Sequence, residues 1–155
     1  MKPYEIDNCS KTFRYGDFSV NPFPLVHDVP CFGFYISERS MGSMIYASDT
    51  EYIKYRFKNL NHILVEANYS EDLIDNEAVN REHVLRGHMS LQTALDFIST
   101  NDNPALRNVV LLHLSDKNAD SAQFLQKTKE TVKYGADCYI AEKGLEVDLN
   151  LCPFT

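Results

Sequence analysis

Residues 109–114 read VVLLHL, five apolar side chains with a single histidine near their end. An apolar run this short, opened by two valines, is the pattern of a strand buried on both faces. Two other stretches share that character, HILVEA at 62–67 and SMIYAS at 43–48. Working outward, FGFYIS at 32–37 is aromatic and β-branched and predicts a further strand. Residues 12–20 and 23–27 alternate toward strand, with Asn21-Pro22 interrupting them. Residues 137–141 and 145–149 predict a closing hairpin turned at Lys143-Gly144.

Helical patterns lie between these runs. Asp49-Thr50 is a good N-cap pair and predicts a helix over 50–58. Residues 71–86 predict two short helical pieces. Ser90 opens LQTALDFIST, in which Leu91, Ala94, Leu95 and Ile98 recur at helical spacing. Phe124, Thr128 and Val132 mark one face of a helix over 119–134, closed by Gly135 at the C′ position. Strands followed by strand–helix alternation predict an α/β fold: a mixed β-sheet with helices packed on one face. No repeat or low-complexity stretch divides residues 1–155, so one domain is expected.

Composition narrows the function classes. Fifteen basic against 22 acidic residues give a net charge of −7, which disfavours a protein that grips long nucleic acid over a broad basic face. Lys54, Arg56 and Lys58, and Lys127, Lys129 and Lys133, read first as solvated helix faces. No apolar run approaches the roughly 20 residues that span a bilayer, and MKPYEIDNCSK lacks a signal-peptide core. The expectation is a cytoplasmic chain that does not engage membranes. The four cysteines, Cys9, Cys31, Cys138 and Cys152, form no Cys-x-x-Cys pair and read as free thiols in that compartment.

Of the five histidines, His27 ends PFPLVHD and His113 ends VVLLHLS, while Asp49 ends SMIYASDT in the same way. Strand C-terminal edges are where α/β folds gather ligands and catalysts. Two imidazoles and a carboxylate suit zinc, manganese or iron. The spacing is long and unspecific, so buried histidines hydrogen-bonded at strand ends remain the other reading. His62 opens a buried-type strand and His83 lies in NREHVLRG; both read as structural or solvated.

The order of five short segments resembles the metallo-β-lactamase superfamily, in its nuclease and phosphodiesterase branch, which includes transfer-RNA 3′-endonucleases and YycJ/WalJ-like proteins. PLVHDVPCFGFYI resembles the segment whose histidine ligates one metal, here His27. MIYASDT resembles the Gly-Asp-Thr segment with the bridging aspartate, here Asp49, with Ser48 where glycine is commoner. ILVEANY resembles a Glu-(Ala/Ser)-Asn segment and makes Glu66 and Asn68 supports of the ligands. GHMSLQTA resembles the segment whose histidine stands beside the substrate phosphate, here the catalytic candidate His88. LLHLS resembles the segment carrying the last ligand, here His113. The match spans roughly residues 12–149.

The family's His-x-His-x-Asp-His signature is absent: no two histidines here are separated by one residue. That signature supplies four of seven ligands, leaving three matched, His27, Asp49 and His113. The resemblance therefore implies the C-terminal half of an αββα sandwich, holding at most one of two zinc or manganese ions by itself. It implies a metal-dependent phosphodiester hydrolase, of nuclease or cyclic-nucleotide phosphodiesterase type. Its partner is expected to be the N-terminal half of the fold or a second copy of this chain. The competing reading is an inactive remnant, or a binding and oligomerisation module of the same fold.

Overall fold

Side-chain alternation places the core. In the computed structural model, which describes residues 1–3, 12–74 and 87–152, nine strands occur among the described residues. They are β1 (Lys2–Pro3), β2 (Phe13–Tyr15), β3 (Phe18–Pro24), β4 (Phe32–Glu38), β5 (Gly42–Ala47), β6 (Tyr55–Arg56), β7 (His62–Glu66), β8 (Asn108–Leu112) and β9 (Asp137–Ile140). Seven form one mixed sheet in the order β2-β3-β4-β5-β7-β8-β9, while β1 pairs with β6. Strands β2 to β5 run antiparallel, and β5, β7, β8 and β9 run parallel.

Register fixes which side chains share a face, because paired residues point the same way. Ile45, Ile63, Val109 and Cys138 stand in one row, and Ala47, Val65 and Leu111 in the next; all are buried. Two helices, α1 (Leu91–Asn101) and α2 (Ser121–Thr131), cover this face with Leu91, Ala94, Leu95, Phe97, Ile98 and Phe124. Full burial of a side chain such as Ile63 or Leu111 contributes about 2 kcal/mol. The Ser90 hydroxyl caps α1 by accepting from the Thr93 N–H, and the Asp120 carboxylate caps α2 by accepting from that of Gln123. Gly33 is required by close approach: a Cβ there would lie 2.5 Å from the Phe23 ring.

Four local expectations are corrected. Residues 50–58 form no helix: Ile53, Tyr55 and Phe57 are buried while Tyr52, Lys54, Arg56 and Lys58 are exposed, which is the period of an extended chain. The Thr50 hydroxyl, instead of capping, donates to the carbonyls of Val26 and Tyr52 and accepts the Val26 N–H. Asn21-Pro22 does not interrupt β3. Its pairing with β2 ends at Val20, so Pro22 sits where the strand has a neighbouring strand on one side only. The closing hairpin is absent: β9 pairs with β8, and residues 145–149 form no strand. Leu151 instead donates its N–H to the Ser40 carbonyl, drawing the C-terminal segment to the far edge of the sheet. Finally, α2 ends at Thr131 with an extended Val132, and Gly135 (φ 79°) serves the turn into β9. Of the pieces expected over 71–86, Glu71–Leu73 forms one 3-10 turn, and residues 75–86, with His83, lie outside the described residues. Among the described residues no helix is long and apolar enough to cross a membrane.

Candidate metal centre

Strands β5, β7 and β8 are adjacent and parallel, so their C-terminal ends form one edge. Asp49 follows β5 there, Glu66 ends β7, and His113 follows β8. Asp49 and His113 both adopt left-handed backbone, φ 55° and 57°. Few non-glycine residues hold that conformation without surrounding support. Support is present: Asn68 donates its side-chain N–H to the His113 carbonyl (2.7 Å) and accepts the Ser115 N–H on its own carbonyl. The N–H of Thr50, next to Asp49, is held by Glu66 Oε2 at 2.8 Å. His88 arrives from another direction. Asn68 donates its N–H to the Met89 carbonyl and Leu91 to that of Tyr69, tying the start of α1 to the end of β7.

The outcome is a compact set of donors. Asp49, His88 and His113 each offer one ligand atom, all within 4.8 Å of one another. The His88 and His113 rings stand 5.0 Å apart, nearly perpendicular. Beneath them Glu66, with no solvent exposure, reaches both: its Oε1 lies 2.7 Å from His88 Nδ1 and 3.1 Å from His113 Nδ1. His113 Nδ1 is also 3.4 Å from Asp49 Oδ1. Burial pushes the Glu66 carboxyl up to about 7, against the opposing pull of the Thr50 N–H and His113. Both Nδ1 atoms face Glu66. A carboxylate behind metal-binding imidazoles fixes tautomer and ring orientation in this way.

His27 lies beside this group rather than within it. Its ring is 6.1 Å from that of His88, and its Nδ1 pairs with the Asp28 carboxylate. The end of β3 is tied to the same edge, since the Glu51 N–H donates to the Val26 carbonyl. The structure thus gathers Asp49, His88, His113 and Glu66, holds Asn68 behind His113, and leaves His27 adjacent. Thr50 is the contributor that sequence reading missed; its place directly after Asp49 was the available signal. Cys31 also approaches, its thiol donating to the Ser48 carbonyl at 3.8 Å. Burial raises the Cys31 pKa, favouring the neutral thiol over a thiolate ligand. His62 is remote, at the opposite edge of β7. It is buried, with Nε2 on the Met41 carbonyl (3.0 Å) and Nδ1 on the Asn108 amide (2.9 Å).

What solved structures share with this chain is the fold. The metallo-β-lactamase fold protein YhfI from Bacillus subtilis superposes with a TM-score of 0.64 and 17% identity, over 92% of this chain and 53% of that one. The chain has the metallo-β-lactamase fold. Human tRNase Z, short form, superposes with a TM-score of 0.56 and 18% identity, over 90% of this chain and 46% of that one. This metallo-β-lactamase-fold chain therefore spans about half the length of the solved structures it matches. No protein-family profile matches the sequence, and no curated protein does.

Proposed function

We propose that this chain is part of a metal-dependent phosphodiester hydrolase whose dinuclear site is completed by an N-terminal half of the same fold. The observation that carries the reading is the convergence of Asp49, His88 and His113 over the buried Glu66. Two nitrogens and one carboxylate oxygen are the donor chemistry that zinc or manganese takes. In this reading Asp49 and His113, two of the three convergent donors, are ligands together with the adjacent His27, while His88, within reach of the same ion, faces the substrate. Divalent ions bound there supply an acidified water and a clamp on the phosphoryl oxygens. Glu66 holds both imidazoles by Nδ1, and Asn68 holds the His113 backbone. His88 keeps a proton at Nε2 for the departing oxygen, a contribution of about 10²–10⁴-fold.

The test is metal content by mass spectrometry, together with hydrolysis of bis(p-nitrophenyl) phosphate, for the chain mixed with its complementing half. The expected result is bound metal and turnover, both lost in Asp49→Ala. His27→Gln should lose metal, and His88→Gln should keep it while slowing turnover. Metal lost from His88→Gln and kept by His27→Gln would make His88 the ligand. Absence of both metal and turnover from the complemented protein overturns the proposal. The second reading, an inactive binding module of the same fold, is favoured by the exposed aromatic side chains Phe13, Phe18, Phe32 and Tyr46 on the sheet face opposite the helices, and that result would select it.

A further inference from the structure

The correction at residues 50–58 changes what its charges can do. On a helix, Lys54 and Lys58 would share a face and Arg56 would point away from them. On the extended chain, Tyr52, Lys54, Arg56 and Lys58 all point outward, while Ile53, Tyr55 and Phe57 anchor the segment in the core. At about 3.3 Å per residue, neighbouring cations stand about 6.6 Å apart on a row about 20 Å long. Successive phosphates of an extended single strand have a similar separation. None of the three cations forms an ion pair with a described residue. Their alignment stands out on a chain whose net charge is −7.

The row also has direction. It begins three residues beyond Asp49, so Tyr52 lies within about 10 Å of chain from the candidate metal centre. Tyr52 is 43% exposed, a ring open to stacking. Beside it is a cavity bounded by Tyr52, Ile53, Lys54, Thr93 and Phe97, with Met1 and the carboxylate of Asp96 also on its wall. Its two walls, the start of this segment and the start of α1, leave the candidate centre from Asp49 and His88. An aromatic platform followed by evenly spaced cations is the arrangement that binds single strands without reading sequence.

We propose that the exposed row Tyr52, Lys54, Arg56 and Lys58 is a track for single-stranded nucleic acid leading to the site at Asp49 and His88. This rests on the hydrolase reading and deepens it: the substrate is a polynucleotide, with one phosphate on each cation and a base on Tyr52. The test is fluorescence anisotropy of a labelled oligouridylate with the full chain in EDTA, so that no cleavage intervenes. Charge reversal at Lys54, Arg56 and Lys58 to Glu is expected to weaken binding on the order of tenfold or more and to flatten the log K against log salt slope by about 2. Neutral replacement of the three by Gln should flatten the slope equally, which guards against a folding defect in the reversed variant. Tyr52→Ala should weaken binding without altering the slope. The control reverses Lys127, Lys129 and Lys133, an identical change in net charge elsewhere, and should retain tighter binding than the row variant. Equal losses in both triples, unchanged binding in the row triples, or capture by anionic phosphatidylserine vesicles in place of the oligonucleotide overturns the track. Hydrolysis of bis(p-nitrophenyl) phosphate by the complemented protein reports the metal site alone. That assay on the unsubstituted protein and the binding assay in EDTA fail independently, so failure of the track and failure of the hydrolase reading are separable.

Discussion

His62 shows how one residue's chemistry follows from its neighbours. The Met41 carbonyl can only accept, so Nε2 carries the proton, and the Asn108 side-chain N–H can only donate, so Nδ1 does not. Protonating Nδ1 would set two donors against each other in a buried place. Burial lowers the His62 pKa from its ordinary 6.5, more than its backbone partners raise it. The unfolded chain then binds the proton more readily than the folded one, so stability is full above about pH 6.5 and falls as pH drops through that value toward the folded pKa. Urea unfolding between about pH 7.5 and pH 5.5 should show this loss, reduced in His62→Gln. Identical pH slopes for the two proteins would remove His62 as the cause. At the candidate centre, Asp49 and His113 were legible because strand ends can be read from apolar runs, whereas Glu66 and His88 came only with the family resemblance. The left-handed turns at Asp49 and His113 depend on tertiary hydrogen bonds and could not be read.

Elements were legible where one period alone fits. VVLLHL and HILVEA are too short and too apolar to be amphipathic helices, and they became β8 and β7. LQTALDFIST has helical spacing with a serine cap and became α1. Residues 50–58 satisfy two periods at once. Ile53 and Phe57 are four apart and suit a helix, while Ile53, Tyr55 and Phe57 alternate and suit an extended chain. Contacts distant in sequence decide between them. Phe57 packs on Phe23 with ring centroids 5.2 Å apart and lies over Tyr35 at 6.1 Å, and its N–H is held by the Asn101 carboxamide oxygen at 2.6 Å. Phe57→Ala should therefore cost about 3–5 kcal/mol in urea unfolding, as expected for a large aromatic removed from a packed core. A cost below about 1 kcal/mol would mean that this segment does not anchor in the core as described. The hairpin over 145–149 failed for a related reason. Lys143-Gly144 does form a turn, with φ 90° at Gly144, but β9 already takes its partner from β8.

At the scale of the whole molecule the two faces of the sheet differ. Among the described residues, α1 and α2 lie on one face. The other carries Phe13 and Val20 in one cross-strand pair, Tyr15 and Phe18 in another, and then Phe34 beside Tyr46 and Leu64, while Val110 farther along that row is buried. Phe32 and Tyr46 are 52% and 40% exposed. The C-terminal segment reaches only the far edge, through Ser40 and Asn108. Soluble monomers rarely leave more than a few hundred Å² of contiguous apolar surface bare. The matched structures are about twice as long as this chain, and under the proposal made above an N-terminal half of the same fold would cover such a face. A stable interface of this kind buries about 1,200–2,000 Å² in total and draws its strength from aromatic anchors. Light scattering should accordingly find the isolated chain self-associating, and find a one-to-one complex when the N-terminal half is present. Phe32→Lys with Tyr46→Lys should abolish both, because two buried ammonium groups without partners oppose the interface. Those positions are exposed in the lone chain, so its urea midpoint should change little. A monodisperse monomer that ignores the complementing half would show that this face needs no cover, and the metal site would then have to function with the ligands of this chain alone.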